Sequence, residues 1–187
     1  MLLYAAAGGV GLIAAQWAAH LGVRVIGVVG TEEKARIARE HGCADTVLAD
    51  AQDFAAQVRE LTDGKGVAAV YDSVGRDTFM QSLDCLRPHG TMVSFGNASG
   101  PVEPFAPLEL GKRGSLFLTR PALFDFISTP AELRAASGEL FRVLESGAVQ
   151  VEIGQTWPLS EVADAHRALE ARKTTGSTLL LPWSPNR

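Results

Sequence analysis

Ala5-Ala6-Ala7-Gly8-Gly9-Val10-Gly11-Leu12 joins an apolar run with the look of a strand, residues 2–7, to a segment with helical spacing, residues 10–21. From Ala6 it reads A-x-G-x-x-G, with Gly8 and Gly11 in the two glycine places. A glycine at 8 lets the backbone approach a pyrophosphate, and one at 11 lets the helix pack closely on the strand. The free amides of the first helical turn, at the positive end of the helix dipole, then face the phosphates. A tight turn that needs its glycines only for steric reasons is the competing reading. The strand–turn–helix context favours the ligand.

Further apolar runs of strand length follow at residues 23–29, 67–71, 91–95 and 115–119. The early ones hardly alternate with polar residues, as expected of strands covered on both faces. Helical segments are predicted at 31–41, 54–61 and 78–86; the first has Thr31 as N-cap, with Glu32 and Glu33 in its opening turn. This alternation predicts an α/β fold, a doubly wound parallel sheet. Pro101, Pro104 and Pro107 mark an irregular loop. Beyond Pro121 the pattern gives a helix at 131–144, a strand at 149–153, a helix at 160–171, a strand at 177–181 and a frayed tail at 182–187.

The 187 residues are 47% hydrophobic and 20% charged, enough for a sizeable core. Net charge is 17 − 21 = −4 with no long block of one sign, which argues against nucleic acid or an anionic membrane as main partner. No apolar run nears the roughly 20 residues of a membrane span, and Met1-Leu2-Leu3-Tyr4 has no basic stretch of a signal peptide. Cys43 and Cys85 form neither a disulfide framework nor a metal cluster and suit a cytoplasmic location. His20, His41, His89 and His166 are scattered; His41 and His89, each before a glycine, suit helix C-termini. H-E-x-x-H, G-x-S-x-G, C-x-x-C and P-loop motifs are absent from the sequence, so no metal site is expected.

Val28-Val29-Gly30-Thr31 ends the second strand without the carboxylate that would bind ribose hydroxyls of NAD or of a methyltransferase's ligand. Lys34 lies on the next turn, where it can pair with a 2′-phosphate, and Gly30 and Thr31 offer further donors. The tip therefore favours NADP over NAD, the alternative for Lys34 being an ordinary solvated lysine. Tyr71-Asp72-Ser73-Val74-Gly75 and Ser94-Phe95-Gly96-Asn97 are two further strand ends expected at the cleft. Turn glycines and an aspartate capping the next helix are an equally good reading of each.

Taken with Asp84-Cys85-Leu86, Leu118-Thr119-Arg120-Pro121 and Gly176-Ser177-Thr178-Leu179-Leu180, these segments resemble, in order, the zinc-independent quinone oxidoreductases of the medium-chain dehydrogenase/reductase superfamily. The resemblance implies a Rossmann-type sheet of about six strands (residues 1–125) and a C-terminal helix–strand segment (126–187) that in the family returns to an N-terminal GroES-like domain. That domain is expected to be missing here. It implies hydride transfer from NADPH to a quinone or conjugated carbonyl, with no catalytic side chain in this stretch. By the same resemblance, Gly8, Gly9 and Val10 hold the pyrophosphate, and Gly30, Thr31 and Lys34 surround the 2′-phosphate. Val74, Phe95, Gly96 and Asn97 lie near the nicotinamide, and Arg172 is a late basic cofactor contact, or else a helix C-terminal cation. A homodimer is implied through the edge strand at 115–119. One departure is alanine at 49, where the family commonly places a tyrosine near the adenine. An enoyl-thioester or enone reductase on the same fold, and a non-catalytic dinucleotide-binding remnant, are the alternatives.

Overall fold

A computed structural model describes residues 1–182 of the chain, so the tail predicted from 182 onward lies almost wholly outside the described residues. Its main sheet is built from β1 (Leu2–Tyr4), β2 (Val25–Val29), β3 (Cys43–Leu48), β4 (Val67–Asp72), β5 (Leu86–Ser94) and β6 (Phe117–Thr119). All six run parallel in the order β3-β2-β1-β4-β5-β6. The connecting helices are α1 (Gly9–His20), α2 (Glu32–Glu40), α3 (Phe54–Glu60), α4 (Phe79–Asp84) and α5 (Leu108–Lys112). There follow α6 (Leu123–Phe126), α7 (Pro130–Glu145), β7 (Ile153–Pro158), α8 (Val162–Glu170) and β8 (Ser177–Leu181), the last two strands pairing as a small parallel sheet.

The sheet is covered on both faces because successive strand residues point to opposite sides. Leu2 joins Ile26, Val70, Phe54 and Met92 in one buried cluster, while Leu3 joins Val25, Val29, Ala15 and Ala35 in the other. The order in which strands are added reverses between β1 and β4, so the connections leaving their carboxyl ends part to either side, the place of the crevice in such sheets.

Several boundaries differ from the sequence reading. β1 stops at Tyr4 because Ala5 has φ 52°, although the Ala6 amide still reaches Val28 O at 3.2 Å. β5 begins at Leu86 and ends the helix predicted to 86 early. His89 lies within β5 rather than at a helix end. β3 did not stand out as an apolar run because it carries Asp45 and Thr46. The strand predicted at 149–153 is displaced to Ile153–Pro158. Val149 is buried with its amide on Val143 O, and the next residue is taken by a side chain: Gln150 N donates to Gln16 Oε1, and Gln16 Nε2 to Gln150 O, both at 3.0 Å. The true strand includes Gly154, where any Cβ would collide with Thr175.

The two thiols sit in opposite core clusters, and burial pushes Cys43 up to about 11 and Cys85 up to about 12. At pH 8 a thiol reagent should therefore modify neither in the folded protein, and both at once after guanidinium unfolding. Rapid labelling of the native chain would contradict this burial.

Candidate cofactor site at the carboxyl edge

The first βα turn is shaped by close backbone approach. A Cβ on Gly11 would stand 2.8 Å from the Cα of Ala6 and be driven into the Ala5 carbonyl, so only glycine lets α1 begin here. Gly8 is the N-cap of α1 and supplies no side-chain cap, and no acidic residue occupies the first turn. The first helical bond runs from Leu12 N to Gly8 O at 2.9 Å. The amides of Gly9, Val10 and Gly11 precede it and have no intrahelical acceptor. By contrast, α2 is capped by Thr31, whose hydroxyl accepts from Lys34 N at 3.2 Å, and opens with Glu32 and Glu33. In α7 the Thr129–Glu132 capping box does the same. Helix α1 alone among these three has no side chain on its first-turn amides; the Gly9 amide faces the Gly176 carbonyl through the bridge between Gly8 and Gly176, and Val10 beside it is 70% exposed.

At the tip of β2, Gly30 is exposed, and a Cβ there would meet nothing within 4 Å. The protein's own packing does not require glycine at that point. Lys34 Nζ donates to the carbonyl of Arg172 at 2.5 Å, across 138 residues of chain. Arg172 follows the end of α8 with φ 57°, a left-handed conformation uncommon for a non-glycine residue. Burial lowers the pKa of the Lys34 ammonium, and the Arg172 guanidinium adds to the effect. The Glu33 carboxylate pulls the other way, and the two cations stand on the same side of the crevice as the exposed Gly30. Ala49, whose amide bonds Val29 O at 2.8 Å, extends the same edge without an aromatic ring.

The β4 and β5 ends form the other side of the crevice. Asp72 is fully buried: Oδ1 accepts from Val74 N at 2.7 Å and Gly75 N at 3.1 Å, and Oδ2 from Thr78 Oγ1 at 2.7 Å and Ser82 Oγ at 2.9 Å. Ser82 Oγ also lies 3.0 Å from the Tyr4 hydroxyl, whose pKa burial pushes well up. Since Asp72 only accepts, Ser82 donates to it and Tyr4 donates to Ser82. This carboxylate shapes the turn and has no free face for a ligand. Half-buried Val74 is fixed further by Ser99, whose amide and hydroxyl both donate to its carbonyl at 2.8 Å. Half-buried Phe95 donates its amide to Asp72 O at 2.9 Å, and Gly96 packs so closely that a Cβ would lie 2.8 Å from Ser73 Cα. Asn97 is exposed at the rim.

Residues 9–137 match the zinc-binding dehydrogenase family. A quinone oxidoreductase of Pseudomonas aeruginosa is 53% identical over 97% of the chain, which covers 56% of that protein. A 2-haloacrylate reductase of a Burkholderia species is 50% identical, with 97% and 55% covered. The crystal structure of Escherichia coli quinone oxidoreductase complexed with NADPH superposes with a TM-score of 0.92 at 49% identity, covering 97% of this chain and 56% of that one. The chain belongs to the zinc-binding dehydrogenase family. Its expected kinship with the quinone oxidoreductases is borne out, and it spans about half the length of the curated relatives it matches.

The glycine turn, the β2 tip and the β4 and β5 ends of this family member all lie at one sheet edge, as the sequence predicted, and Arg172 joins Lys34 there. What sequence reasoning missed is the approach of β8 to the turn: Gly176 N donates to Ala7 O at 2.9 Å, and Gly8 and Gly176 pair as an isolated parallel bridge. No local pattern announces a contact across that separation.

Replacing Asp72 with alanine strands two amides and two hydroxyls in the interior. The expected loss is about 3 kcal/mol of unfolding free energy in urea titration; an Asp72→Ala chain as stable as wild type would show the network to be dispensable.

Proposed function

We propose that this chain is the cofactor-binding portion of an NADPH-dependent quinone oxidoreductase. The single observation that carries the reading is the pairing of two electropositive features at one edge: the uncapped start of α1, and the Lys34–Arg172 cation pair beside open Gly30. Their chemistry fits a dinucleotide with a diphosphate bridge and a 2′-phosphate. The NADPH complex of the E. coli relative supports this choice of cofactor.

On this reading Gly8, Gly9 and Val10 receive the phosphate bridge on their backbone. Gly30, Thr31, Lys34 and Arg172 enclose the 2′-phosphate; the Thr31 hydroxyl, already accepting from Lys34 N, keeps its proton to donate. Val74, Phe95, Gly96 and Asn97 border the nicotinamide half. When bound, NADPH supplies the hydride. The residues of this chain orient it and keep water away, and no side chain here moves a proton. No step is assigned to a metal: Cys43 and Cys85 are buried in separate clusters, and the four histidines lie on α1, α8, β5 and the end of α2.

The acceptor is a small quinone or conjugated carbonyl. An enone-type reductase is the second reading, favoured by the 2-haloacrylate reductase relative. We place the protein in the cytoplasm, where its two buried thiols stay reduced. No described helix is long and apolar enough to cross a membrane. We assign homodimer formation to β6, whose three residues are exposed at the sheet edge with an unpaired ladder.

Calorimetry should show NADPH binding tighter than NADH, and Lys34→Ala should weaken NADPH by roughly thirtyfold, the value of one charge-assisted contact, while leaving NADH nearly unchanged. Equal affinity of the wild-type chain for both would end the 2′-phosphate assignment. Because the lysine must be charged to hold the phosphate, the preference should fade as pH rises through a value below the 10.5 of an ordinary lysine. Steady-state oxidation of NADPH with benzoquinone and with 2-haloacrylate as rival acceptors separates the two readings.

A further inference from the structure

The entry to β8 lies against the glycine turn as closely as a neighbouring strand. Gly176 is tied to Ala7 and bridged to Gly8, as described above. The next residue, Ser177, turns its amide away to Glu152 O at 2.8 Å. Its side chain goes the other way: the Ser177 Oγ lies 3.0 Å from the place a Cβ on Gly9 would take. Gly9 is not in the left-handed region, so its own backbone would tolerate a side chain; it is the approach of Ser177, with the Gly176 carbonyl at 3.3 Å behind it, that leaves no room for one. Gly9 is also the first residue of α1, and its amide is the first of the three without an intrahelical acceptor. The hydroxyl of Ser177 is half-buried and, among the described residues, has no hydrogen-bond partner.

An unpartnered hydroxyl packed beside the start of α1, where no side chain caps the amides, is a further donor at the edge proposed for the phosphate bridge. We propose that Ser177 is a cofactor contact, donating its hydroxyl proton to the phosphate bridge that the α1 amides hold. The inference rests on the NADPH reading given above and extends it: the phosphate cradle is then built from two ends of the chain. Three ties set the position of Ser177. They are the Gln16–Gln150 pair of hydrogen bonds, the Gly176–Ala7 bond and the Lys34–Arg172 bond, all joining the C-terminal layer to the cofactor edge. The serine contact concerns the diphosphate, common to NADPH and NADH, whereas Lys34 and Arg172 concern the 2′-phosphate of NADPH alone.

That difference makes the proposal testable on this chain by calorimetry with NADPH, NADH and adenosine 2′,5′-bisphosphate, which has the 2′-phosphate but no diphosphate bridge. Ser177→Ala should weaken NADPH and NADH alike by on the order of tenfold, leave the bisphosphate within about twofold by the same reasoning, and keep the preference for NADPH. Ser177→Thr, which retains a hydroxyl, should recover much of the loss. Wild-type affinity for NADPH in Ser177→Ala overturns the proposal. So does an equal loss for all three ligands, which would mean that the residue only holds β8 in place. If the unaltered chain binds neither dinucleotide, the NADPH reading itself fails and this inference with it. Binding by wild type with no effect of Ser177→Ala removes the inference alone.

Discussion

Everything at the carboxyl edge depends on the contact between Gly11 and the backbone of Ala5 and Ala6. Without a side chain at position 11, α1 can start directly against the end of β1, and its dipole points into the crevice where β1 and β4 part. Ala5 takes the left-handed conformation that turns the chain sharply enough to permit this. A helix begun one turn later would place its amides away from the switch point. The same compactness explains why the helix has no capping side chain: Gly8 is the cap position and has none to offer.

A second feature grows from that one. The small β7–β8 sheet is held to the main sheet by polar ties to α1, α2 and the glycine turn. These bring Arg172 beside Lys34, whose pKa is lowered first by burial and then by the Arg172 charge. Like charges brought together by the fold, with Gly30 open beside them, are an arrangement that an anionic ligand relieves. The Asp72 network does the opposite. It satisfies every acceptor within the protein and spends its charge on shaping the β4 turn.

Much of the fold was legible in the residues. Buried parallel strands are apolar throughout, so 2–7, 23–29 and 67–71 were visible without reference to any partner, and Thr31 with Glu32 and Glu33 announced α2 through capping chemistry alone. β3 was hard to see because it flanks the sheet and carries Asp45 and Thr46. The strand at 149–153 was misplaced because Val149 owes its burial to packing against the rest of the chain rather than to a ladder. An apolar residue reads the same in either case, and the Gln16 side chain that occupies Gln150 is 134 residues distant.

By itself the sequence determined the α/β alternation, the glycine turn and the lack of an acidic residue at the β2 tip, since each follows from the conformational or chemical needs of a few adjacent residues. It also placed Gly30, Thr31 and Lys34 on one side of the crevice and Val74, Phe95, Gly96 and Asn97 on the other, because every loop after a parallel strand leaves the sheet at the same edge. Only the tertiary structure decided that Arg172 meets Lys34, that Asp72 is closed to ligands and that Ser177 packs on Gly9. Those contacts join residues far apart in the chain, and hydrogen bonds formed across such distances leave no periodic trace in the order of amino acids.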